Sequence, residues 1–141
     1  MMAQSDALAL LRAILDQAGL RMTGGPESWP PGGNPLFESG CPCVGVYFDP
    51  LVDGLGQREG YLAVTLGSKT IKPGKLWLGL SGTDDGIELV FLDALKLVPG
   101  SCEVQPFDGW AFAALYRPDS PDPLPRYVEW VRACLDAVRD V

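Results

Sequence analysis

Four groups of residues in this chain are of types that could do chemistry. The first is Cys41-Pro42-Cys43, with Cys102 and Cys134 far along the chain. Structural zinc needs about four ligands, usually in two C-x2–4-C pairs. Here the close pair is separated by one residue, so the four cysteines are expected to be free thiols with no metal. The second group is a lysine loop, Gly67-Ser-Lys69-Thr-Ile-Lys72-Pro-Gly-Lys75, with Arg58 in the loop before it. It is not a phosphate-binding P-loop, because Lys69 and Leu76 stand where that pattern needs a glycine and a hydroxyl. It remains open as a phosphate-contact loop or a solvated hairpin turn. The third group is the carboxylates Asp84-Asp85 and Asp49 with Asp53, all in turn contexts that favour Asp for local hydrogen bonding. The fourth is a set of aromatics, Trp29, Phe37, Tyr47, Tyr61, Trp77, Trp110 and Tyr116. Most are expected in the core, and a subset on one rim could stack on a base.

The chain contains no histidine. That removes the commonest general base and metal ligand, and with them any Ser-His or Cys-His nucleophile pair. No enzyme and no cofactor are expected.

The elements that must hold these groups read as follows. Residues 43–48, 60–66 and 75–81 are short apolar runs of strand composition between Gly, Pro and Asp punctuation. Short connections make them an antiparallel meander. Residues 86–92 read as a further strand closing a meander over 43–92, and 109–116 as another. Residues 5–18 repeat Leu8, Leu11 and Leu15 at helical spacing, with Ser5 as N-cap and Gly19 as stop. Residues 124–139 carry a stripe of Tyr127, Val131, Cys134, Leu135 and Val138. Residues 23–42, rich in Gly and Pro, read as an irregular segment, either a packed cover or part of a ligand-binding mouth. The expectation is one α+β domain over 1–141: a mostly antiparallel sheet of about five strands with helices at both chain ends.

The 141 residues are 47% hydrophobic with net charge −7 and pI about 4.4. Acidity opposes non-specific affinity for nucleic acid and suits a basic protein partner. There is no membrane-length apolar run and no signal-like N-terminus, so a cytoplasmic protein is expected.

One resemblance adds a specific reading. Gly33-Asn34-Pro-Leu-Phe-Glu-Ser-Gly, the strand Pro42-Cys-Val-Gly-Val-Tyr-Phe-Asp49, Gly60-Tyr61-Leu-Ala-Val-Thr-Leu66 and Leu76-Trp-Leu-Gly-Leu80 follow one another in order. Trp110–Tyr116, a Pro-rich link and an amphipathic helix close the chain. In this arrangement it resembles the N-terminal DNA-recognition domain of McrB-type restriction proteins. The resemblance implies a stand-alone DNA-binding domain acting in phage defence, on modified or unmodified DNA. Phosphates would be held by Arg58, Lys69, Lys72 and Lys75. A base would be covered by Trp29, Phe37, Tyr47 and Tyr61, with Cys43 where the family has an aromatic pocket wall. The alternative expectation is a small acidic protein-binding module, such as an immunity protein, antitoxin or secretion chaperone, that engages a basic partner.

Overall fold

The computed structural model describes residues 1–29, 41–51, 58–82 and 86–139, the side chains of 28 and 29 excepted. Phe37, Asp53, Asp84 and Asp85 lie outside the described residues. Within them the chain forms three helices and a six-stranded sheet: α1 (Gln4–Ala18), β1 (Met22–Trp29), β2 (Cys43–Phe48), β3 (Gly60–Thr65), β4 (Leu76–Ser81), α2 (Ile87–Lys96), β5 (Glu103–Phe107), β6 (Trp110–Leu115) and α3 (Leu124–Arg139). The sheet order is β1-β2-β3-β4-β6-β5, and every neighbouring pair is antiparallel. The architecture is therefore α+β, with a helix towards each end of the chain.

The three helices cover one face of the sheet. Alternation along each strand sends Val44, Val46 and Phe48, Leu62 and Val64, Leu76, Leu78 and Leu80, and Ala111, Ala113 and Leu115 to that side. There they meet Leu11, Ile14 and Leu15 of α1, Phe91 and Leu95 of α2, and the predicted stripe of α3. Helix α1 begins at Gln4 behind Ala3, with no side-chain cap, rather than at a Ser5 cap. It ends as expected at Gly19, whose left-handed backbone (φ 73°) lets its N–H reach the carbonyls of Leu15 and Asp16. Helix α3 is tied down by polar bonds as well as packing. The Tyr127 hydroxyl donates to Gly74 O at 2.5 Å, Trp130 Nε1 donates to Ser101 Oγ at 3.0 Å, and Arg132 donates to Gln17 O.

Three expectations are corrected. Residues 86–92 are not a strand: Gly86, with φ 75°, opens α2. Phe91, Leu92 and Leu95 are its buried positions, at helical spacing, while Leu89 and Val90 face outward. The unbroken apolar run concealed that period. The segment 23–42 is not irregular throughout, since Met22–Trp29 pairs with β2. Pro26 is tolerated because β1 is an edge strand, and register shifts on either side of Gly24 absorb its irregularity. The strand β5 was not expected at all. It is polar and contains Pro106, which is tolerated for the same reason, because β5 is the other edge.

Because Leu135 is buried at the centre of the α3 contact, Leu135→Ala is expected to destabilise the fold by about 2–5 kcal/mol. Thermal or urea denaturation measures this directly, and an unchanged midpoint would show that α3 is peripheral to the core.

Candidate functional site

The sheet face opposite the helices is built by register. Cys43, Gly45 and Tyr47 of β2 lie opposite Thr65, Ala63 and Tyr61 of β3. Ala63 and Tyr61 lie opposite Trp77 and Gly79 of β4, and these opposite Ala114 and Phe112 of β6. Across β3, β4 and β6 large residues therefore alternate with small ones, Gly79 between Tyr61 and Phe112 and Trp77 between Ala63 and Ala114. The small ones are necessary: a Cβ on Gly45 would overlap the Tyr61 hydroxyl, and one on Gly79 would sit 2.5 Å from the Phe112 ring. The two rings thus lie down over glycine backbone. They join a continuous aromatic chain, with Tyr47–Tyr61 centroids at 5.0 Å, Tyr61–Phe112 at 6.4 Å edge-on and Phe112–Trp110 stacked at 6.0 Å.

This packing decides which predicted rim residues reach the surface. Cys43 and Tyr61 are buried, at 1% and 4% exposure, so neither presents a surface to a base. Burial, and then Cys41 beside it, pushes the Cys43 thiol up to about 12, so it stays protonated. Tyr47 is half-buried and open to the surface. Trp29 pairs through its backbone with Cys43 at the end of β1, and its side chain is outside the description. Tyr47 and Trp110, with ring centroids 6.4 Å apart and 61° between planes, form the corner of a cleft of about 370 Å³. Thr23, Gly24 and Glu59 complete its lining.

The lysine loop divides. Lys69 and Lys72 are exposed, as expected of a solvated turn. Lys75 is not with them: its side chain is 3% exposed, and its ammonium bridges Glu103 Oε1 at 2.7 Å. The same nitrogen lies 4.8 Å from the centroid of Trp77 and 5.3 Å from that of Tyr116. Lys75 is thus a structural cation of the sheet face, which corrects its assignment to a phosphate-contacting loop. The signal was available in period two, since residue 75 shares a strand face with 77 and 79. Lys72 instead shares a notch of about 390 Å³ with Arg117, Pro73, Pro118 and Asp119. That notch is beyond the Thr65 end of β3, whereas the Tyr47–Trp110 corner is at the Gly60 end. Six residues of strand, at about 3.3 Å each, separate them. Arg58, half-buried, belongs to the Gly60 end. The expected cations and aromatics do not form one site.

A surface that sequence reasoning missed lies on the helical side. Leu89, Val90 and Leu97 are 61%, 39% and 83% exposed. Val90 and Leu97 line a groove of about 750 Å³ between α2 and α3, where with Val98 they meet the small Ala94, Ala133 and Ala137. The charged residues in its lining are both carboxylates, Asp93 and Asp136, the latter bridging Arg139 one turn on at 3.1 Å. The available signal was α2 itself, apolar around most of its circumference and thus with more apolar surface than one core contact covers.

All four cysteines are free thiols. Among the described residues, no group of three or more Cys, Asp or Glu side chains is placed to hold a metal ion, and no helix is long and apolar enough to cross a membrane. Comparison with protein-family models, with characterised proteins and with solved structures finds no match for this chain.

Two measurements check this geometry. Burial raises the thiols of Cys43 and Cys134, the latter further, while Cys102 is only half-buried with Lys75 opposing its rise. Alkylation of the folded protein near pH 8 should therefore modify Cys102 first and reach Cys43 and Cys134 only on unfolding. Rapid native labelling of Cys134 would contradict its place in the core. Lys75→Met should lower stability by about 1–2 kcal/mol, a modest cost because the Glu103 left behind is part-solvated. Lys72→Ala should stay within about 0.5 kcal/mol of the parent.

Proposed function

We propose that this chain is a small acidic protein-binding module, and that it takes a basic amphipathic helix of its partner into the groove between α2 and α3. The observation that carries this reading is the groove itself: exposed Val90 and Leu97 around a floor of alanines, with Asp93 and Asp136 as its charged lining. A helix laid in such a groove buries an i, i+3, i+4 stripe between small residues that allow close approach. Covering a Leu or Val side chain is worth about 1.5–3 kcal/mol, so Leu97 and Val90 supply much of the driving force. Asp93 and the net charge of −7 select Lys and Arg on the flanks of the incoming helix and speed its encounter. Neutralising or escorting a basic protein fits this chemistry.

A second reading, DNA recognition of the McrB type, is supported by the notch in which Lys72 and Arg117 stand together. Working against it are the acidic balance, the burial of Lys75, Cys43 and Tyr61, and the strand length between the notch and the open aromatic corner.

The discriminating experiment titrates the protein with two synthetic helices of identical Leu/Ala face, one flanked by Lys and Arg, the other by Glu, and with duplex and single-stranded DNA at low salt. The basic helix should bind and be released by salt. Asp93→Asn should weaken it about five-fold, the equivalent of about 1 kcal/mol, and Leu97→Glu should abolish it. Equal binding of both helices, or full binding to Leu97→Glu, would end the proposal. DNA binding lost in Lys72→Ala would establish the second reading in its place.

A further inference from the structure

The sheet face opposite the helices carries a similar chemical arrangement at both ends, and at one end the cation that fills it is the chain's own Lys75. At the Thr65 end, the Lys75 ammonium sits within cation–π range of Trp77 and Tyr116, at 4.8 and 5.3 Å, with Glu103 Oε1 at 2.7 Å. At the Gly60 end, Tyr47 and Trp110 form a second aromatic corner beside carboxylates, and among the described residues no Lys or Arg lines it, Arg58 preceding Glu59 in the chain without entering the lining. We infer that this second corner is a receptor for an alkylammonium head group, that is, a lysine ammonium or an N-methylated form of it, supplied from outside the chain.

Four features of the cleft argue for that class of ligand. The rings meet at 61° with centroids 6.4 Å apart, so two faces of one compact head group can be covered together. A planar guanidinium prefers to stack on a single ring. The cleft, about 370 Å³, has room for a methylated ammonium. Its negative charge is placed at the edge: Glu59 lines the cleft, and Glu27 Oε2 accepts a hydrogen bond from the Tyr47 hydroxyl at 3.3 Å. These carboxylates attract a cation and repel a phosphate or a carboxylate ligand. Burial, followed by Glu27 and Glu59, raises the Tyr47 phenol above its ordinary value, so the ring stays neutral and keeps its hydroxyl as a donor.

The site is also built in advance. Trp110 is stacked on Phe112 and Tyr47 leans on Tyr61, and those two rings rest on Gly79 and Gly45. The Glu59 backbone is clamped at both of its polar groups. Its N–H donates to Ser81 Oγ at 2.8 Å and its carbonyl accepts from Ser81 N at 3.0 Å. Little ordering remains to be done when a cation enters, which favours recognition of a small group.

The test is an NMR titration following the Trp110 indole N–H, assigned by its loss in Trp110→Phe. The probes are tetramethylammonium, blocked lysine and trimethyl-lysine, guanidinium, and the neutral isostere neopentyl alcohol. Saturable shifts are expected with the ammonium probes and not with neopentyl alcohol. Glu59→Gln should weaken binding about three- to five-fold and Trp110→Ala about ten-fold or more. Tighter binding of the blocked lysines than of tetramethylammonium assigns the ligand to a protein side chain. Equal binding assigns it to a free quaternary cation. If Trp110→Ala does not fold, the exposed Glu59→Gln substitution and the neutral isostere still decide. Equal binding of neopentyl alcohol, tighter binding of guanidinium, or an unchanged affinity in Glu59→Gln would each overturn the inference. Leu97→Glu lies on the helical side and should leave this titration unaltered, so its outcome is separate from that of the groove.

Discussion

The rest of the structure depends on the interlock of rings and glycines on the sheet face opposite the helices. Tyr61 occupies the space that a side chain at position 45 would need, and Phe112 the space above position 79. A one-residue slip of any central strand would turn these residues to the helical side and place Val or Leu under a ring. The alternation of large and small residues therefore fixes the register of β2, β3, β4 and β6 together. It also lets both faces of the sheet be close-packed when helices cover only one. The buried Trp77 and the Lys75–Glu103 bridge share that face, and the Tyr47–Trp110 corner is its continuation at the surface.

The elements with an uninterrupted period were legible in the sequence. The stripe from Tyr127 to Val138 placed α3, and the punctuated runs placed β2, β3 and β4 within a residue or two. Where the reading failed, two signals conflicted or one was too strong. In 86–92, strand-forming Ile, Val and Phe stand in a run with so little polar interruption that neither period is visible, and only burial on one side identifies the helix. At β1 and β5, Pro26 and Pro106 pointed away from strand, and only knowledge that both lie at sheet edges reverses that weight. The candidate site was less legible for a related reason. Lys69, Lys72 and Lys75 look equivalent along the chain, yet only Lys75 adjoins β4, where it turns under the same face as Trp77, while Lys69 and Lys72 stay in the solvated turn. Likewise the aromatics carry no mark that, among the described residues, Tyr47, Trp110 and Tyr116 reach the surface while Tyr61 and Trp77 are buried.

The charge distribution gives the two layers different roles. On the helical side, carboxylates border apolar surface between α2 and α3. On the sheet side, carboxylates border aromatic rings. Both arrangements are suited to cations and differ in scale, the first to an extended helix face and the second to a single head group. Among the described residues, no Lys or Arg lines either site. Lys72 and Arg117 stand at the far end of the sheet, and Arg139 is engaged with Asp136 and the carbonyls of Pro50 and Leu51.

The prolines at the two sheet margins carry a consequence for behaviour at high concentration. Pro26 and Pro106 each remove an amide donor from an outermost strand, and the shifted register of β1 bends its backbone away from a regular ladder. A strand added by a neighbouring molecule would meet an interrupted ladder at either margin, which disfavours cross-β growth and strand-mediated fibrils at both edges of the sheet. Self-association in a crowded solution is then channelled to side-chain contacts on the helices. These contacts dissolve on dilution, whereas a shared sheet would not.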